Sequence, residues 1–265
     1  MAGLVDVHTH LTHKKFSGIL SDVMAEVSAE MHSVICNGLE PTSNRQIIEW
    51  AKSNPKIKPA LGIYPIDAVN GILPSDFPFE VKNFDVNEEI KFISQNAEKG
   101  KLIAIGECGI DGHWLGEETY SEQEKVFEEL INIAKKNNLP VIIHTRKLEK
   151  RSIEILHHNR VEKVNFHCFG GKVKLALKAS ENDDWCFSIP ANSRKNQAFA
   201  KMLAELPYEK ILTETDAPYL SPVQGEINRP VNVKKTIEHL AELRGWSYTK
   251  SLEIVFSNAQ RLFNL

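Results

Sequence analysis

Val5-Asp6-Val7-His8-Thr9-His10 is an apolar run that ends in two histidines two residues apart. Side chains alternate faces along a β-strand, so this pattern predicts Asp6, His8 and His10 on one face and Val5 and Val7 on the other. Two imidazoles at a strand's end can hold one metal ion between them, although a lone His-x-His also describes a solvated polar strand end. Four further runs decide between the two. Leu102-Ile103-Ala104-Ile105-Gly106 leads into Glu107, Pro140-Val141-Ile142-Ile143 into His144, Val164-Asn165-Phe166 into His167, and Ile211-Leu212-Thr213-Glu214-Thr215 into Asp216. A single strand-end His or Asp is usually satisfied by a backbone partner. Six such groups at equivalent places point to one site, with His8, His10, Glu107, His144, His167 and Asp216 as its candidate metal ligands.

Eight short apolar runs are present: Leu4 to His8, Ser33 to Asn37, Pro59 to Ile63, Leu102 to Gly106, Val141 to His144, Val164 to Cys168, Trp185 to Ile189 and Ile211 to Glu214. Stretches of helical period lie between most of them. Gln123 to Lys136 carries Val126, Phe127, Leu130, Ile131, Ile133 and Ala134 on one side and Glu and Lys residues on the other. Ser121-x-x-Glu124 reads as its capping box, and Asn138 as its stop. Strand–helix alternation repeated eight times predicts an α/β fold, a (β/α)8 TIM barrel. The 265 residues suit one such domain spanning 1–265. In that fold catalytic groups sit at the carboxyl ends of strands, where all six candidates fall. Strands 1, 4, 5, 6 and 8 then carry ligands and strands 2, 3 and 7 carry none. Ile66 to Phe84 reads as a long loop, either a lid or a surface Ω-loop. Val231 to Leu243 and Thr249 to Phe263 read as closing helices broken at Gly245, so the barrel gains an additional C-terminal helix.

Asp6-Val7-His8-Thr9-His10, Gly106-Glu107-Cys108-Gly109-Ile110-Asp111, His144-Thr145-Arg146, His167-Cys168-Phe169-Gly170-Gly171 and Glu214-Thr215-Asp216-Ala217-Pro218-Tyr219-Leu220 together resemble the TatD family of metal-dependent deoxyribonucleases. The match in order and spacing spans essentially the whole chain, and Glu-Thr-Asp-Ala-Pro is its most specific piece. The resemblance implies an amidohydrolase-type barrel that uses divalent metals to remove nucleotides from DNA ends, attacking the 3′ end. It also implies two ions, with His8, His10 and Asp216 on the first, His144 and His167 on the second, and Glu107 bridging. The donor mixture suits Mg, Mn or Zn. Asp216, able to touch both metal and nucleophile, is the expected proton acceptor. A barrel mouth closed below by packed side chains predicts entry by an end and exonucleolytic action, and single strands are favoured because no wide duplex groove is implied. Rival readings are an esterase removing the amino acid from (D-)aminoacyl-tRNA, an amidohydrolase for a small cyclic amide, and a metal-stabilised scaffold that binds nucleic acid without cutting it.

Four departures from the family pattern bear on substrate. Tyr64 stands before Pro65 where many members have His, and a phenol donates to phosphate but is a poor acid–base group near neutrality. Gly112-His113-Trp114 shifts along an aromatic that usually follows Asp111. Lys147 replaces a common acidic residue, and Asn228-Arg229-Pro230 replaces Asn-Glu-Pro. Tyr64, Arg146, Lys147 and Arg229 are therefore the expected substrate contacts.

A net charge of -3 and a pI near 6.4 argue against a general nucleic-acid coating protein. Lys14, Lys15, Arg146, Lys147, Lys172, Arg194, Lys195 and Arg229 nevertheless fall in loops of the catalytic face and suit a phosphate-bearing ligand. Tyr64, Trp114, Phe169 and Tyr219 are candidates to stack a terminal base. The expected partner is thus nucleic acid, as DNA ends or else RNA or tRNA, with no obligate protein partner. Met1-Ala2-Gly3 leaves no room for a signal peptide, and no run reaches the roughly 18 apolar residues of a membrane span. Cys36, Cys108, Cys168 and Cys186 lack Cys-x-x-Cys spacing and read as reduced thiols, which places the protein in the cytoplasm. Cys108 and Cys168 should face away from the site, since their neighbours face it. Asp6 is expected one layer below His8, either orienting an imidazole or acting as a buried structural carboxylate.

Overall fold

The computed structural model describes residues 2–74, 76–182 and 184–265. Eight parallel strands, each paired with the next in chain order, form a nearly closed barrel. They are β1 (Leu4–Thr9), β2 (Met31–Asn37), β3 (Ile57–Leu61), β4 (Ala104–Asp111), β5 (Val141–Arg146), β6 (Lys163–His167), β7 (Asp184–Pro190) and β8 (Ile211–Glu214). Beyond the end of β8 the ring meets β1 through backbone hydrogen bonds, Asp216 N–H to His8 O at 2.9 Å and His10 N–H to Ala217 O at 2.8 Å. The surrounding helices are α1 (Leu20–Glu30), α2 (Pro41–Ser53), α3 (Pro65–Ala68), α4 (Val86–Glu98), α5 (Tyr120–Lys136), α6 (Glu149–His158), α7 (Val173–Ala179), α8 (Gln197–Glu205), α9 (Val233–Arg244) and α10 (Tyr248–Phe263). No helix among the described residues is long and apolar enough to cross a membrane.

The apolar stripe foreseen for α5 is its buried face: Val126, Phe127, Leu130, Ile131, Ile133 and Ala134 are all buried. Its start differs from the expected capping box. A 3-10 turn over Glu117–Thr119 feeds directly into the helix, with the Tyr120 N–H bonded to Glu117 O, so Ser121 lies inside the first turn and no side chain caps the end. Gly245 ends α9 in the left-handed conformation, φ 63°, which glycine adopts without the Cβ clash. Then α10 turns back beneath the barrel. Its Ala259, Leu262 and Phe263 pack in one cluster with Val5, Val7, Ile35, Ile142 and Leu212. Ile142 and Leu212 lie two residues before His144 and Glu214, so this cluster forms an apolar floor under the polar end of the barrel. Truncating a buried Phe of such a cluster costs about 3–5 kcal/mol.

Two expectations need correction. Ile66 to Phe84 is not wholly loop, because α3 takes its first residues and Asp85 then caps α4 through the Asn87 and Glu88 N–H groups. Ile66 and Val69 are buried with Leu115, and Leu73, Phe77 and Val81 pack on them, so this segment lies folded against the one after β4; Ser75 falls outside the described residues. The simple alternation in β1 also fails. Its register on β2 shifts between Asp6 and Thr9. The Asp6 carboxylate accepts from the N–H groups of His8 (3.2 Å) and Thr215 (3.0 Å) and from the Thr215 hydroxyl. It therefore stitches β1 to the segment after β8 and orients no imidazole.

Candidate metal centre

Glu107 organises the polar end of the barrel. Its Oε2 lies 3.4 Å from Nε2 of His8 and 3.2 Å from Nε2 of His10. Its Oε1 lies 2.9 Å from Nδ1 of His144 and 3.1 Å from Nε2 of His167. One carboxylate thus faces two imidazole pairs, one with each oxygen. Asp216 approaches the first pair, its Oδ1 3.7 Å from His8 Nε2 and 3.4 Å from His10 Nε2. All six sequence-predicted ligands meet in this cluster, contributed by β1 and the residue that follows it, by β4, β5 and β6, and by the segment just beyond β8.

The local backbone explains the close approach. Gly109 has φ 146°, and a Cβ there would sit 1.9 Å from the carbonyl oxygen of His144. A glycine therefore lets β4 and β5 close together beside the His144 ring. A Cβ at Gly62 would sit 2.2 Å from Glu107 O, so the segment after β3 is equally tight against the bridging residue.

Two hydrogen-bond partners of the imidazoles, and one carboxylate near a third ring but beyond hydrogen-bond distance, stand outside the six. Nε2 of His144 lies 2.9 Å from Asp111 Oδ2. Nδ1 of His10 lies 3.1 Å from Asn37 O, so β2 contributes a backbone carbonyl. Glu214, fully buried, accepts from Cys168 N–H at 2.9 Å and from the Ser188 hydroxyl of β7, and stands 3.7 Å from His167 Nδ1. Ring partners of this kind decide which nitrogen carries the proton and which presents a lone pair. Alternation held the signal for both carboxylates: Asp111 follows Glu107 by four residues on β4, and Glu214 precedes Asp216 by two. β4 runs on to Asp111, well past Gly106, where its apolar run stops.

Charge in the cluster is strongly coupled. Burial opposes ionisation of Glu107, but His167, His10 and His144 outweigh it and hold the carboxyl well below its ordinary range. Burial likewise opposes a charged His10, yet hydrogen bonds to Asp216 and Glu107 push it up to about 10. His8 goes the other way, down to about 3, through burial and the neighbouring His167. Asp216 is held low by His10 and His167 against its burial. The Nδ1 atoms of His8 and His167 are buried without a hydrogen-bond partner among the described residues.

Such a donor set fits divalent cations. His8, His10 and Glu107 form one group with ligand atoms within 4.8 Å of one another, Glu107, His144 and His167 a second, and His8, His167 and Glu214 a third. Imidazole nitrogens suit Zn, and carboxylate oxygens suit Mn and Mg. No cysteine enters these groups, and all four thiols are free.

The predicted substrate contacts divide. Tyr64 sits edge-on to His144, ring centroids 4.8 Å apart, and is mostly buried, with its phenol pushed far above its ordinary value by burial and by Glu107. Arg146 and Lys147 are exposed at the end of β5 and have no ion-pair partner among the described residues. Arg229 is different: its guanidinium is paired with Glu26 of α1, so its charge is already answered. Arg194 is likewise held by both oxygens of Glu242, at 2.6 Å each. Phe169 is fully buried against Phe166 and Phe187 and cannot stack a base, whereas Trp114 and Tyr219 are exposed.

The chain is similar to known proteins over nearly its whole length. The family model described as TatD related DNase matches residues 5–264. The human protein named deoxyribonuclease TATDN3 is 30% identical over 266 residues, covering 98% of this chain and 94% of its own. A Bacillus subtilis protein named uncharacterized metal-dependent hydrolase YabD is 28% identical over 99% of both chains. Among solved structures, the Escherichia coli TatD homologue YJJV superposes with a TM-score of 0.83 at 22% identity, covering 99% of this chain and 98% of its own.

Proposed function

The chain belongs to the TatD family of metal-dependent hydrolases, and we propose that it removes nucleotides one at a time from the 3′ end of single-stranded DNA, using two divalent ions. The two-sided contacts of Glu107 carry this reading, with Oε2 toward His8 and His10 and Oε1 toward His144 and His167. In it His8, His10 and Asp216 would hold one ion, His144 and His167 the other, and Glu107 would contact both. When bound, a pair of Mg, Mn or Zn ions supplies a water of lowered pKa and stabilises the charge that develops on the phosphoryl oxygens.

The chain's own groups do the rest. Asp216, kept ionised by His10 and His167, takes the proton of the attacking water. Arg146 and Lys147 hold the phosphate, and Tyr64 donates its phenol hydrogen to it, since burial keeps that proton in place. The apolar floor beneath the site stops a strand from threading through, so a strand enters by an end. Relatives named as deoxyribonucleases support DNA as the substrate.

A time course on a 5′-labelled single strand tests this directly. A ladder shortening by one nucleotide from the 3′ side is expected. Cleavage of a circular single strand at a comparable rate would remove the exonuclease reading, and turnover confined to a charged-tRNA ester would replace it with ester hydrolysis.

A further inference from the structure

Two exposed aromatic residues each sit three positions after a carboxylate of the centre, Trp114 after Asp111 and Tyr219 after Asp216. Each ring carries a cation. The Arg146 guanidinium lies 5.6 Å from the Trp114 ring centroid, and Lys15 Nζ lies 4.7 Å from that of Tyr219. Among the described residues neither cation has a carboxylate within ion-pair distance, unlike Arg194 and Arg229. Trp114 is 39% exposed and Tyr219 43%, among the few large apolar side chains left open.

Both rings are built in rather than loosely attached. Asp111 Oδ1 accepts from the N–H groups of His113 and Trp114 at 2.7 and 2.8 Å, while its Oδ2 meets His144. The turn bearing Trp114 is therefore pinned by the same carboxylate that meets an imidazole of the centre. Phe79 backs Trp114 edge-to-face, centroids 4.6 Å apart at 85°, and is itself 43% exposed. On the other side, the Tyr219 hydroxyl shares a 2.9 Å hydrogen bond with His13 Nε2, and the Tyr219 N–H donates to Asp216 O.

Strand order fixes where these stations stand. The Trp114 station follows β4 and β5, the Tyr219 station follows β8 and β1, and in a ring of eight strands in sequential order those pairs lie across from each other. The candidate centre lies between them. An aromatic face with an uncompensated cation suits a nucleobase with its adjoining phosphate, because every base has a π-face and each phosphate a negative charge.

We propose that these are two base-stacking stations that hold bases of a single DNA strand on either side of the phosphate undergoing cleavage. The proposal rests on the reading that a strand's end lies at the metal centre, and it adds what grips the strand there. It makes the bases themselves, and not the phosphates alone, part of what is recognised.

Equilibrium binding separates the two claims. The metal-loaded protein is titrated into a fluorescein-labelled single strand whose terminal linkages are phosphorothioates, so that little is cut, and into the same strand lacking its last two bases. Stacking of one base predicts that Trp114→Ala and Tyr219→Ala each weaken binding of the intact strand about 5- to 150-fold, and that Trp114→Phe recovers most of the loss. The base-free strand should bind weakly to the wild type and be nearly insensitive to either Ala substitution. Equal binding of the two strands by the wild type, an undiminished affinity in both Ala variants, or no binding of the intact strand would overturn the stations. The nuclease reading fails on a separate result, the absence of cutting of a natural strand by the wild type.

Discussion

Asp111 Oδ2 lies 2.9 Å from Nε2 of His144, on the side of the ring opposite Glu107, whose Oε1 lies 2.9 Å from Nδ1. The imidazole is strung between two carboxylates, one inside the cluster and one behind it. A proton on Nε2, donated to Asp111, leaves the Nδ1 lone pair pointing into the centre, and the charge behind the ring strengthens that lone pair as a donor.

Asp111→Asn keeps an oxygen for the His113 and Trp114 N–H groups but removes the charge behind His144. Affinity for one of the two ions is expected to fall about 10- to 100-fold while the other changes little. A competition titration with a chromophoric chelator reads both steps, and unchanged stepwise affinities would show that Asp111 serves only the turn.

Ion uptake should depend on pH with a definite sign. His10, His144 and His167 are all held above the ordinary imidazole value, His10 at about 10, so these rings keep their protons to higher pH than a free imidazole does. A ligand nitrogen must be free of its proton, so binding expels protons and strengthens as pH rises from 6 to about 8. Calorimetry in two buffers of different ionisation enthalpy counts the protons released. A heat independent of buffer, with equal affinity across that range, would contradict the assignment of these rings as ligands.

Gly109→Ala brings a Cβ into the space now taken by the His144 carbonyl at a φ that disfavours any side chain. The expected cost is about 2–4 kcal/mol, lowering Tm by about 5–15 °C. Gly71→Ala, where nothing lies within 4 Å of the added carbon, should leave Tm within about a degree. Thermal scans of the two variants side by side make the comparison, and matching Tm values would mean that the strands need no such closeness.

The two arginines expected to contact substrate should now part company. Arg146→Ala should weaken binding of a single strand and reduce the salt slope by about one. Arg229→Ala removes a guanidinium already engaged by Glu26 and should change affinity less than about twofold. Equal losses in both variants would return Arg229 to the strand-binding surface.

The barrel and its six central residues were readable because each rests on a short-range pattern: an apolar run, then a metal-capable group at its end. What escaped depends on register and on contacts between strands. Asp6 bonds the N–H groups of His8 and Thr215 and no imidazole, in a stretch where β1 shifts register on β2, which no alternation rule foresees. Asp111 and Glu214 share the parity of Glu107 and Asp216, but β4 extends past its apolar run and so hides Asp111 as a strand residue. The charges of Arg229 and Arg194 are answered by Glu26 and Glu242 from helices 203 and 48 residues away in sequence, pairings that only the assembled barrel reveals. Phe169 looked like a mouth residue from its place after His167, yet its ring turns into the packing around Phe166 and Phe187.

Everything proposed for this centre depends on a pair of ions joined by Glu107, which elemental analysis of protein loaded with Mn or Zn and then desalted would count. About two ions per chain are expected in the wild type, with a clear loss in Glu107→Gln, because a neutral amide bridges two cations poorly. A folded wild-type protein that saturates with at most one ion, or a Glu107→Gln variant that keeps the full complement, would contradict it.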